Sequence, residues 1–189
     1  MDSVLIISNT EKNTNFFTEM LNAVSPTRIL TLTSCSEARR LLLEQDFDLV
    51  IINAPLRDES GEILSKNIAS KGICQVILIV QTEFYDDVTS VTEDYGVMTI
   101  AKPINKNIFW SALKLAKSAQ NKMKLLKTEN NKLIQKIEDI RIVDRAKCIL
   151  ISYLNMSEQE AHRYIEKQAM DMRISKRLVA EGIIKTYEN

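Results

Sequence analysis

The chain has 189 residues, with 25 Lys and Arg balanced by 25 Asp and Glu, 45% hydrophobic residues, three Cys, one His, four Gly and three Pro. That composition is ordinary for a globular protein. It leaves little material for a disulfide framework, a zinc centre or a glycine-rich phosphate loop. The longest apolar run, residues 76–80, is far too short to span a bilayer, and no leader of charged, apolar and small residues opens the sequence. Cys35, Cys74 and Cys148 are scattered and read as reduced thiols of a cytoplasmic protein. The zero net charge hides an asymmetry. Residues 1–103 carry 8 basic and 15 acidic side chains, a balance of −7, whereas residues 104–189 carry 17 basic and 10 acidic ones, a balance of +7. Two modules with different partners are expected, the basic one facing an anion such as nucleic acid.

In chain order, residues 4–7 form a first strand-like run, and residues 14–24 place Phe17, Met20, Leu21 and Val24 at helical spacing. Residues 28–32 are β-prone. Residues 36–45 read as a helix with Ala38, Leu41 and Leu42 on one face and Ser36 as its cap. Residues 49–52 and 76–80 are continuous aliphatic runs, the mark of strands buried on both faces, and residues 98–101 make a last short strand. Five strands alternating with helices predict an α/β fold with a parallel sheet covered on both sides. Sites in such folds form beyond the carboxyl ends of the strands, here residues 8–10, 53–55, 81–82 and 102–103.

Between residues 105 and 155 there is neither Gly nor Pro. Ala112, Ala116, Ala119, Met123, Leu126, Asn130, Leu133, Ile137 and Ile140 follow steps of four and three, a heptad seam. Residues 112–140 would make roughly 43 Å of helix at about 1.5 Å per residue. Asn130 falls in a first core position, where Asn pairs with its twin across a parallel two-stranded coil and fixes register and dimeric state. A homodimer through a parallel coil is therefore expected, with Met123, Leu126, Asn130, Leu133, Ile137 and Ile140 in its seam. The competing reading is a helix packed on its own domain.

The coil helix is expected to run on to residue 153 or 154. Ser157 and Glu160 then form a capping box. It starts a helix with Ala161, Tyr164, Ile165, Ala169 and Met172 facing inward. Ser175 caps a third helix carrying Leu178, Val179, Ile183 and Ile184. The organisation read from the sequence is thus residues 1–110, a coil over residues 111–143, and a small three-helix bundle over residues 144–189.

The first half resembles the receiver domain of two-component response regulators. The likeness lies in residues 4–7, in Phe47-Asp48-Leu49-Val50-Ile51-Ile52 leading to Gly61, and in Ala101-Lys102-Pro103. It implies a flavodoxin-like, five-stranded fold. A phosphorylated receiver also needs an acidic pair for Mg²⁺ and an Asp nucleophile, because Mg²⁺ demands hard oxygen ligands and an amide forms no acyl phosphate. Here Ser8 and Asn9 stand at the acidic pair, Asn53 at the phosphoacceptor, and Val80 (or Thr82 in a slipped register) at the Thr/Ser position; only Lys102 matches. The expectation is a pseudo-receiver that uses no metal and takes its input from a regulatory protein or a ligand. Asp48, before the strand, and Asp58, in the following loop, are poor substitutes for the missing nucleophile.

The last segment resembles the ANTAR RNA-binding module of bacterial transcription antiterminators. The motif lies in Arg145-Ala146-Lys147-Cys148-Ile149-Leu150, in Met156-Ser157-Glu158-Gln159-Glu160-Ala161, and in Gln168-Ala169-Met170-Asp171-Met172-Arg173 followed by Ser175-Lys176-Arg177-Leu178-Val179-Ala180. Cys148 departs from the family pattern, where Gly is commonest. The resemblance implies that Arg145, Lys147, Arg173, Lys176 and Arg177 meet RNA. Small Ala146 and Ala169 would admit loop bases, and Met170 would offer an apolar surface. His162 reads as a surface or packing residue. Phe109 and Trp110 read as core or interface residues. The implied function is a dimeric antiterminator that binds paired hairpins in nascent RNA, needs no cofactor and catalyses nothing. A helix-turn-helix DNA-binding regulator and a protein-interaction adaptor are the alternatives.

Overall fold

A computed structural model describes residues 1–22, 26–72 and 74–187. Val24, expected on the first helix, and the last two residues of the third module lie outside the described residues. The chain divides into two compact units, residues 1–125 and 126–189.

The first unit runs β1 (Ser3–Ser8), α1 (Glu11–Asn22), β2 (Arg28–Leu32), α2 (Cys35–Glu44), β3 (Leu49–Asn53), α3 (Glu62–Ala69), β4 (Gln75–Val80), α4 (Tyr85–Thr92), β5 (Met98–Ala101) and the first turns of α5 (Lys106–Leu154). The five strands are parallel in the order β2-β1-β3-β4-β5. This is the flavodoxin-like order. β1, β3 and β4 are aliphatic throughout because both of their faces are covered.

The two-residue strand period sorts these side chains between two cores. Leu5, Ile7, Val50, Ile52, Val76, Leu78 and Val80 pack under α2 and α3, against Cys35, Ala38, Leu64 and Ile68. Val4, Ile6, Leu49, Ile51, Ile77 and Ile79 pack under α1 and α5, against Phe17, Leu21, Phe109, Leu113 and Ala116. Phe17 and Phe109 pack as tilted rings with centroids 5.3 Å apart. Gly61 opens α3 with φ of 83°, and a Cβ there would come within 2.8 Å of the Ile52 side chain. A left-handed backbone and a close approach together require glycine.

Two local expectations are corrected. α2 is capped by Ser34, whose Oγ accepts the Glu37 N–H at 3.3 Å, and not by Ser36. Ser36 instead donates its own N–H at 2.9 Å to Asp58, which also takes the Cys35 N–H at 3.0 Å. A loop carboxylate from 22 residues away thus serves the helix start, favoured there by the helix dipole. The second correction concerns α5. Phe109, Leu113, Ala116 and Gln120 are buried and Ala112 is half-buried, so Ala112 and Ala116 pack on the sheet. Steps of four and three define a face but not what covers it. Beyond Gln120 the helix emerges, and residues 121–138 are all exposed in the single chain.

α5 is held at that exit. Asp48, at the start of β3, accepts hydrogen bonds from the Gln120 amide at 3.0 Å and from the Asp2 N–H, and pairs with Lys124 at 3.0 Å. Burial opposes its ionisation, but these donors outweigh burial and pull its pKa down to about 2.

The second unit comprises the rest of α5, α6 (Glu158–Met172) and α7 (Lys176–Tyr187). The expected capping box is present: Ser157 Oγ accepts the Glu160 N–H at 3.3 Å and Glu160 accepts the Ser157 N–H at 2.8 Å. The core comprises Ala146, Leu150, Ala161, Ile165, Ala169, Val179 and Ala180. Its four alanines let the helices approach closely. Tyr164 and Met172, expected to face inward, are 39% and 51% exposed, and Leu178 of the third helix is 53% exposed. With so much alanine at the crossings, the core has no room for these large side chains. Among the described residues no helix is long and apolar enough to cross a membrane.

Candidate functional site

The carboxyl ends of β1, β3 and β5 bring Ser8, Asn53 and Lys102 to one edge of the sheet. Asn53 is buried and donates its amide to Ser8 Oγ at 3.1 Å, and Ser8 Oγ donates to the Thr10 carbonyl at 3.3 Å. Asn9 donates to the Pro55 carbonyl at 3.0 Å. Lys102 Nζ donates to the Ala54 carbonyl, and burial lowers its pKa. The Thr82 hydroxyl donates to the Lys102 carbonyl. Val80 packs in the core, so of the two positions weighed for the Thr/Ser role it is Thr82 that reaches this edge. The donors of Ser8, Asn9, Asn53 and Lys102 are taken by one another and by nearby backbone, whereas the buried Asn53 Oδ1 has no hydrogen-bond partner among the described residues. Their oxygens are hydroxyls, amides and carbonyls, a donor set that does not fit the carboxylate-held Mg²⁺ of a receiver. Among the described residues no group of three His, Cys, Asp or Glu side chains is placed so that it could hold a metal ion. Asp58 is committed to the α2 start and Asp48 to the opposite end of the strands.

In the second unit a cleft of about 400 Å³ opens between α5, α6 and α7 and gathers Lys147, Lys176 and Arg177 with Asp139, Asp144 and His162. All three cations are paired. Lys147 bonds Asp144 at 2.8 Å and Glu158 at 3.4 Å. Lys176 bonds Glu166. Arg177 bonds Asp139 at 2.8 Å and Glu181 at 2.7 Å. The Asp144 bond raises the Lys147 pKa, and the Lys176 bond holds Glu166 below its usual range. Arg145 is exposed on α5, outside the cleft lining.

Ala146 and Ala169 are corrected outright. They are 0% and 7% exposed and lie in the core of the second unit, so their side chains serve the helix crossings and offer no surface of their own.

Arg173 ends α6 in the left-handed conformation, φ 54° and ψ 41°. Its N–H bonds the Met170 carbonyl at 3.2 Å, and the next N–H, of Ile174, reaches the Ala169 carbonyl at 3.0 Å. This is a Schellman motif with arginine in the position glycine usually takes. A non-glycine residue there costs about 1–2 kcal/mol. Arg173 is exposed and has no ion pair among the described residues, and Met170 beside it is 77% exposed. The sequence marked both residues through the resemblance. It held no local sign of the backbone strain or of the carboxylates that reach Lys176 and Arg177 from other helices, although Asp144 with Lys147 and Arg177 with Glu181 stand at helical spacing.

The fold and these two sites define a response regulator with a receiver-like first unit and a helical effector. The ANTAR domain family matches residues 131–184, beginning 14 residues before Arg145, the first motif residue read from the sequence. The transcriptional regulatory protein PdtaR of Mycobacterium tuberculosis is 30% identical over 141 residues, covering 74% of this chain and 68% of that protein. Two solved structures share the fold of the first unit. One is a two-component transcriptional regulator AraC from Clostridium phytofermentans ISDg, with TM-score 0.59, 16% identity and coverage of 66% of this chain and 98% of that one. The other is a response regulator receiver domain protein from Clostridium thermocellum, with TM-score 0.56, 21% identity and coverage of 67% and 99%. The chain belongs to the ANTAR-domain response regulators, a family of transcription regulators.

Proposed function

We propose that this protein is an RNA-binding antiterminator that acts as a dimer on paired hairpins of nascent RNA, stabilising a structure that excludes the terminator. The observation that carries the RNA reading is Arg173. An exposed arginine kept at a backbone position suited to glycine points to a demand on its side chain, and guanidinium both stacks on unpaired bases and pairs with phosphate. Filter binding at moderate salt tests it: hairpin RNA should be retained in preference to duplex DNA. A preference for duplex would install the helix-turn-helix reading. Retention unchanged in Arg173→Ala with Lys176→Ala would favour the adaptor.

Dimerisation rests on the exposed stripe of Met123, Leu126, Leu133, Ile137 and Ile140, each at least 39% exposed in the single chain, around Asn130. A parallel coil over the exposed part of residues 111–143 would cover it. Two RNA modules joined in this way bind the second hairpin at the effective concentration set by the first. Sedimentation equilibrium checks the coil: Leu133→Asp with Ile137→Asp should yield monomers.

The receiver-like unit would take its input from a protein or ligand without aspartyl phosphorylation. Asn53 offers no nucleophile, and Ser8 and Asn9 offer no carboxylate. Incubation with acetyl phosphate and Mg²⁺ should leave the intact mass unchanged.

A further inference from the structure

The cleft of the second unit holds three cations, yet none stands ready for a phosphate. Five carboxylates surround them: Asp139, Asp144, Glu158, Glu166 and Glu181. Two of the five have a second partner on their own helix. Glu166 lies 3.2 Å from His162 Nε2, one turn back along α6. Asp139 accepts the Gln135 side-chain amide at 3.0 Å, one turn back along α5. When Lys176 and Arg177 leave these carboxylates for another anion, neither is left bare. The pairs lie between exposed or half-exposed side chains, where water screens the attraction and opening is easy.

We propose that Glu166 and Asp139 are built-in competitors of RNA phosphate: they hold Lys176 and Arg177 in the free protein and release them to the RNA backbone, keeping His162 and Gln135 as partners. The proposal rests on the RNA reading above. Its consequence is specificity. A cleft neutralised from within has little pull on an arbitrary phosphate chain. Only an RNA that also satisfies contacts elsewhere on the module recovers the work of opening the pairs. Binding energy is thereby withheld from non-specific RNA, which contributes mostly phosphate contacts.

The test is filter binding of the full chain to a stem-loop RNA of arbitrary sequence across a salt series. Glu166→Gln removes the carboxylate that holds Lys176, and Asp139→Asn removes one of the two that hold Arg177, leaving Glu181; each keeps the side-chain shape and should tighten binding roughly two- to fivefold. Each should also steepen the slope of log affinity against log salt, by up to about one. Asp171→Asn is the control. It makes the same change in net charge from an exposed α6 position without an ion pair among the described residues, and it should tighten binding by less than about 1.5-fold. Equal tightening in all three variants would reduce the effect to bulk charge and overturn the proposal, as would no tightening in Glu166→Gln and Asp139→Asn. Loss of RNA retention in the wild type and in every variant would refute the RNA reading itself and this proposal with it. Circular dichroism melting of each variant confirms that the helices are intact.

Discussion

In the receiver-like unit the polar side chains beside the sheet are bonded to protein, with Asn53, Ser8, Asp48 and Gln120 buried and Lys102 half-buried: Asn53 to Ser8, Lys102 to Ala54, Asp48 to Gln120 and to the exposed Lys124. In the helical unit the charged side chains lie at the surface in pairs that water can open: Lys176 with Glu166, Arg177 with Asp139. The difference is one of exchangeability. A buried polar group that loses its partner bears the full cost of desolvation, so the first set is fixed structure. A surface ion pair is worth little net, so the second set is available for exchange with an incoming anion. A polar or charged contact therefore means fixed structure in one unit and an exchangeable pair in the other.

The largest effect that would sharpen this contrast is a packing one. Phe109→Ala, removing a fully buried ring that α5 contributes to the sheet, should destabilise the first unit by about 3–5 kcal/mol in urea unfolding, with the transition of the helical unit unmoved. A common shift of both transitions would show that the units unfold as one.

Next comes Asp48. Its folded pKa, about 2, lies below the ordinary value of 3.8, so its contribution is complete above about pH 4 and is lost as pH falls through about 2. The difference is worth about 2 kcal/mol. Asp48→Asn should lose most of that at neutral pH and show a flatter stability profile between about pH 4 and 2. An unchanged acid limb would mean the cluster at the α5 exit is open in solution.

The smallest stability change is the most diagnostic. Arg173→Gly relieves the left-handed cap and should raise the stability of the helical unit by about 1 kcal/mol. The same change should weaken hairpin binding roughly fivefold, as the loss of one charged or stacked contact does. Stability and affinity moving in opposite directions would separate Arg173 from residues with a purely structural role. A parallel loss of both would place it with them.

Much of the fold was legible because it is written locally. The strand at residues 28–32 and that at residues 98–101 fall where the β-prone runs place them, and the long helix ends at Leu154 within the expected limits. Ser157 with Glu160 could be read as a capping box because both partners lie within four residues. That Ser8, Asn9 and Asn53 carry no carboxylate was legible too, since each is a single letter at or just past the end of a strand.

The sequence by itself determined the α/β order of the first unit, the absence of receiver carboxylates and the two opposite charges of the halves. Those properties follow from residue type and from periods of two and three to four residues. Tertiary structure alone decided which partner each side chain found. It put Asp58 at the start of α2, clamped α5 through Asp48, sent Ala146 and Ala169 into the core and tied Lys176 and Arg177 to carboxylates. The reason is range. Propensity and periodicity act within a turn or two of chain, whereas hydrogen bonds and ion pairs act across a few ångströms of space, between residues that sequence distance leaves unrelated until the elements pack.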